Sequence, residues 1–112
     1  MRFGLMTLQA APYLALADRW RRIEAMGFDS MWIADHSTSQ YPTLIAYEAW
    51  SLLGALASVT SRVRFGPLVT PPTFRPPAML AMQAVTIDHL SSGRLELGLG
   101  AGGGARRRRL RR

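Results

Sequence analysis

Two rhythms of apolar and polar residues alternate along the chain. "RFGLMTL" (Arg2 to Leu8) is an apolar run of strand length, and the segment from Pro12 to Gly27 changes to a helical repeat. There Tyr13, Leu16, Ala17, Trp20 and Ile23 fall on one face, while Asp18, Arg21, Arg22 and Glu24 occupy the others. Pro12 suits a first helical turn, Gly27 a left-handed stop, and Asp18 with Arg22 a weak surface pair.

The alternation then repeats. "SMWIADH" (Ser30 to His36) reads as a second strand and Thr43 to Thr60 as a second helix, with Ala49, Leu52, Leu53, Leu56 and Ala57 inward. Gly54 costs that helix about 1 kcal/mol against alanine. "VRFGPLVT" (Val63 to Thr70) is a third strand, and "PPTFRPP" leads into a third helix that starts at Pro76 and Pro77 and turns Leu80, Ala81, Ala84, Ile87 and Leu90 inward. "SSG" closes it, and "RLELGLG" (Arg94 to Gly100) is a fourth strand. Strand starts recur roughly every 30 residues, the length of a βα unit. Strands joined through helices run parallel, with right-handed crossovers, so their C-terminal ends share one side. "ADH", "TPPTFR" and "GAGG" lie there, where barrels and open sheets alike bind ligands.

Composition adds limits. No apolar run approaches the roughly 18 residues of a helical membrane span. Gly4, Thr7 and Gln9 interrupt what would be a signal-peptide core, so a cytoplasmic location is the default expectation. The absence of cysteine removes disulfides and thiolate metal sites, and no metal site is predicted.

The net charge of +7 suggests nucleic acid until it is located: six of the 14 arginines lie between Arg106 and Arg112. Residues 1 to 105 hold eight basic and seven acidic side chains, so they offer no broad basic face. Non-specific nucleic-acid binding through the arginine tail is the alternative function, and six phosphate contacts would give a log-log salt slope of about −4 to −5. Gly98, Gly100 and Gly103 satisfy G-x-G-x-x-G after a strand. A charge run stands where the phosphate-binding helix should start, and no acidic ribose partner follows about 20 residues on.

Four segments, "RFGLMT", "GFDSMWIADH", "EAWSLLGALASVTSRVRFGPLVTPPTFRPPAML" and "AVTIDHLSSGRLELGLGAG", carry a resemblance in their order and spacing over residues 1 to 102. Together they resemble the luciferase-like monooxygenase family of flavin- or deazaflavin-dependent oxidoreductases. The resemblance implies an α/β fold: the N-terminal portion, about four parallel strands and three helices, of a TIM (β/α)8 barrel, which takes about 250 residues when whole. Residues 1–102 are then a partial barrel domain, and 103–112 a Gly/Arg-rich tail, disordered and foreign to the family.

The resemblance further implies FMN or a deazaflavin coenzyme across the C-terminal mouth, with hydride or oxygen chemistry on a small-molecule substrate. The matching cofactor-binding positions are Asp35, His36, Thr70, Gly100, Ala101 and Gly102. His36 is the catalytic candidate, because imidazole exchanges a proton near neutral pH. The structural reading of Asp35 and His36 is a cap on the following loop. An unusual, often cis, peptide is implied around Val69, Thr70 and Pro71. Lacking the later barrel units, the chain alone is expected to show negligible turnover and to self-associate through unpaired strand edges. His89 on the last turn of the third helix, an Asp88–Arg94 pair beside it, and Trp20, Trp32 and Trp50 all read as structural.

Overall fold

Three strands, β1 (Gly4–Met6), β2 (Ser30–Ile33) and β3 (Arg64–Pro67), form a parallel sheet in the order β1-β2-β3. Helices α1 (Tyr13–Ala25), α2 (Ala49–Ser58) and α3 (Pro77–Leu90) follow β1, β2 and β3 in turn. The computed structural model describes residues 1–36 and 47–101. The expected fourth strand lies beside β3, joined by parallel bridges at Phe65–Leu95 and Thr70–Leu99. Between those bridges the β3 side advances five residues and the other side four, which interrupts the ladder and leaves single bridges.

Burial follows the two rhythms. Met31, Ile33 and Phe65 turn one face of the sheet towards Leu16, Trp20 and Ile23 of α1 and Leu53 and Leu56 of α2, all within one buried cluster. Trp20 meets Phe65 edge to face at 6.0 Å, and its indole N–H donates to Thr7 Oγ1 at 3.2 Å. Gly27 takes a φ of 90° just beyond α1, as a left-handed stop requires. The Asp18–Arg22 pair forms at 2.8 Å on the surface, where it contributes little.

Two expectations about helices are corrected. Helix α2 starts at Ala49, because the Glu48 carboxylate caps it by accepting the N–H groups of Trp50 and Ser51. Residues 43–46 of the expected helix lie outside the described residues. Its inward set is buried as predicted, together with Trp50. In α3, Leu80 and Ile87 are buried and Ala84 partly so, but Ala81 and Leu90 are exposed. That helix is apolar nearly all round, with Met79, Met82 and Val85 also exposed, so its period could not select a face.

The Asp88–Arg94 pair is also corrected. Arg94 turns its guanidinium to the carbonyls of Ala57, Thr60 and Val63 and lies 5.3 Å above the Phe65 ring. Its fork of donors answers carbonyls left open after α2, a stronger demand than one surface carboxylate makes. Asp88 instead accepts the N–H of Leu95. Among the described residues, no helix is long and apolar enough to cross a membrane.

Glu24 fastens the end of α1 to the entry of β3. Its carboxylate accepts N–H bonds from Ser61 at 3.1 Å and from Arg62 and Val63 at 2.8 Å. Burial alone would raise its pKa, but the donors of Val63, Arg62 and Ser61 outweigh burial and hold it below the ordinary 4.5. A depressed carboxylate stabilises the fold above its unfolded pKa, and that contribution is lost as pH falls through the folded value. Glu24→Gln is therefore expected to cost about 1 to 2 kcal/mol at pH 7, discounted for its solvent contact. Urea midpoints of the variant and the parent chain should converge as pH falls below 4.5.

Candidate active site at the C-terminal ends of the strands

Because the three strands are parallel, the residues that leave them gather at one end. Asp35, two positions beyond β2, is buried and ion-paired twice to Arg75 from the loop before α3: Nη1 to Oδ2 at 2.6 Å and Nη2 to Oδ1 at 3.1 Å. Arg75 Nη2 also reaches Glu48 Oε1 at 2.9 Å, so one guanidinium joins the end of β2, the β3–α3 loop and the cap of α2. The bond to Asp35 holds the Arg75 pKa above its ordinary value against the opposing effect of burial. Burial would raise the Glu48 carboxyl. The N–H and hydroxyl of Ser51, the N–H of Trp50 and the charge of Arg75 together hold it lower.

Thr70 is fully buried, and its hydroxyl accepts the Trp50 indole N–H at 3.0 Å. Its backbone bonds the fourth strand on both sides, donating to Gly98 O at 2.8 Å and accepting from Gly100 N at 3.0 Å. A Cβ on Gly100 would come within 2.2 Å of Val69 Cγ2, so the bare Cα makes room for the Val69 side chain. The peptide bond entering Val69, between Leu68 and Val69, is cis, and the bond before Pro71 is not.

Of the predicted positions, His36 and Ala101 are exposed at this end, while Asp35 and Thr70 are buried in polar contacts within the protein. Gly102 lies outside the described residues, as does the arginine tail. Leu68, Val69 and Phe74 leave apolar surface exposed beside Thr70 in the chain. The arrangement sets the exposed His36 imidazole beside a frame fixed by the two ion pairs of Arg75, with apolar surface on the adjoining strand end. Among the described residues, no group of three or more His, Asp, Glu or Cys side chains could hold a metal ion.

Arg75 and Glu48 were not singled out from the sequence as site residues. A signal existed: Arg75 is the only charged residue in the proline-rich loop, and Asp35 and Glu48 flank the segment leaving β2. A 40-residue separation gives no period from which to read the pairing.

Consecutive parallel βα units with their polar residues collected at the strand ends are the architecture expected of the N-terminal arc of a (β/α) barrel. The chain belongs to the luciferase-like monooxygenase family, whose sequence profile matches residues 1–111. It is 35% identical over 102 residues to the 5,10-methylenetetrahydromethanopterin reductase of Archaeoglobus fulgidus, an alignment covering 91% of this chain and 29% of that one.

Among solved structures, the coenzyme F420-dependent tetrahydromethanopterin reductase of Methanopyrus kandleri superposes with a TM-score of 0.81 at 30% identity, over 97% of this chain and 29% of that one. The oxygenating constituent of 3,6-diketocamphane monooxygenase from Pseudomonas putida, in complex with FMN, gives a TM-score of 0.79 over 98% of this chain and 32% of that one. At 22% identity it shows the fold alone. The expected partial TIM barrel is thus established, and the chain spans about three-tenths of the length of these relatives. Nothing in these comparisons supports nucleic-acid binding through the tail.

Proposed function

We propose that the chain supplies the first strand ends of an oxidoreductase site that takes FMN or a deazaflavin coenzyme and a small-molecule substrate. The observation that carries this is the family match combined with exposed His36 at the strand ends beside the ion-paired Asp35–Arg75–Glu48 frame, in which Asp35 is buried. Residues at this end fit part of such a group. Leu68 and Val69 offer apolar surface to a flat ring, and His36 offers a proton donor or acceptor at its rim. A bound ring would supply the hydride or oxygen chemistry.

The chain's own residues orient and protonate. Thr70, pinned by Trp50, fixes the end of β3, and Gly100 lets the fourth strand pack against Val69. Asp35 acts from within the frame, because both its oxygens are taken by Arg75. Ala101 continues the rim after the fourth strand. The chain covers about three-tenths of the relatives' length, so on this reading tight cofactor binding and turnover require walls beyond these residues.

The test is a chimera in which residues 1–101 replace their counterpart in the Archaeoglobus reductase. The folded chimera should retain coenzyme binding, and His36→Asn should lower kcat by about a hundredfold or more while binding persists. A folded chimera that binds no coenzyme, or full turnover without the imidazole, would reject the proposal.

A further inference from the structure

Among the described residues, the last backbone bonds of β2 are made at Trp32 and Ile33. The Thr7 N–H donates to Trp32 O at 2.7 Å from the β1 side, and the Leu68 N–H donates to Ile33 O at 2.8 Å from the β3 side. A chain that has left its ladder is ordinarily more mobile than the strand it leaves.

Here side chains take over where the ladder stops. Gln9, half-buried just beyond β1, donates its amide Nε2 to Ala34 O. The acceptor is a carbonyl, so only the NH2 end of that amide can face it. Arg75, from the β3–α3 loop, then holds both oxygens of Asp35 at 2.6 Å and 3.1 Å. Ala34 and Asp35 are thus fixed in turn from the two neighbouring elements. The Cα of His36 follows about 3.8 Å further on and starts from a fixed point.

Stability accounts poorly for this arrangement. An ion pair made with a buried carboxylate is close to neutral against well-packed apolar side chains, and one neutral hydrogen bond at a part-buried rim adds little. Orientation accounts for it better, because a misplacement of about 1 Å at a reacting group can cost about a hundredfold in rate.

We propose that Gln9 and Arg75 are positioning residues for His36: they set the backbone from which the imidazole reaches coenzyme and substrate. Gln9 acts through the Ala34 carbonyl and Arg75 through the Asp35 carboxylate, so neither needs to touch a ligand. The inference rests on His36 being the proton-handling group, and the two are tested apart.

In the 112-residue chain, backbone amide relaxation should show a lower order parameter at His36 in Gln9→Leu and in Arg75→Lys than in the parent, with Met31 and Ile33 of β2 unchanged. Lysine keeps the charge opposite Asp35 and removes the fork. In the reductase chimera each substitution should lower kcat by about tenfold or more while the coenzyme Kd stays within about twofold. In a His36→Asn background the same substitutions should lower kcat no further, because no imidazole is left to position. Glu24→Gln, which acts at the entry of β3 and away from this end, should lower stability and leave kcat unchanged. If Arg75→Lys unfolds, Gln9→Leu gives the reading.

A kcat untouched by His36→Asn would overturn both the role of His36 and its positioning. A large loss from His36→Asn would leave that role standing, and positioning would then be overturned by losses from Gln9→Leu and Arg75→Lys that persist undiminished in the His36→Asn background or are matched by Glu24→Gln. A His36 amide equally ordered in parent and variants would overturn positioning as well.

Discussion

Arg75→Met is expected to lower the stability of the folded chain by about 3 kcal/mol, the lower end of the range for removing one partner of a buried ion pair. The side chains of Asp35 and Arg75 are only 4% and 12% exposed, so the Asp35 carboxylate left behind could not recover its hydration. Glu48 is 48% exposed and can turn to water, which is why the lower end applies. The loss would be a large share of the roughly 5 to 15 kcal/mol that holds a typical domain.

The physical claim is that the cost lies in the orphaned charge, and a second variant separates that from lost packing. Asp35→Leu combined with Arg75→Met removes both charges, and it should recover most of the loss because paired burial is itself close to neutral. Urea denaturation of the parent, single and double variants measures all three. A double variant as unstable as the single one would show that the guanidinium matters through its shape and its hold on the β3–α3 loop.

Arg75 also marks the limit of what the sequence discloses. Helix α1 was legible because Leu16, Ala17, Trp20 and Ile23 alternate with charges, and one face could be chosen without knowing its neighbour. Helix α3 was legible as a helix but only partly as a surface: Met79, Met82 and Val85 are as apolar as Leu80 and Ile87, and tertiary placement decides which are buried. The strand ends could be assigned to one side from topology alone, which placed Asp35, His36 and Thr70 in one region.

The engagement of those residues was not legible. Whether a carboxylate at a strand end faces a ligand or an arginine 40 residues away depends on loop geometry, and loop geometry has no period. The resemblance marked Asp35 as a cofactor contact; the structure shows its oxygens on Arg75 and leaves His36 exposed beside it.

The fourth strand depends on a glycine that periodicity passes over. Gly66→Ala is expected to destabilise the chain by about 3 kcal/mol, the upper end for overpacking, because the added Cβ would lie 1.9 Å from Glu96 O and 2.9 Å from Glu96 C. Both are backbone atoms, so no rotamer change relieves the contact, and the fourth strand has to move away from β3. That movement stretches the bonds joining Phe65 to Arg94 and Glu96, and those joining Thr70 to Gly98 and Gly100. It also parts the Arg64–Glu96 pair.

The effect should be local in pattern as well as large. Hydrogen exchange of the Glu96 and Gly100 amides should lose protection, while β2, held on both sides by β1 and β3, keeps it. Gly54→Ala supplies the contrast within α2: the nearest atoms to its added Cβ are on the Ile87 side chain at 3.9 Å and 4.0 Å, an ordinary contact. It should stabilise the chain by about 0.5 to 1 kcal/mol through helix propensity. Opposite signs from the same added methyl would locate the cost of Gly66→Ala in the approach of two backbones, and equal losses at both positions would refute that account.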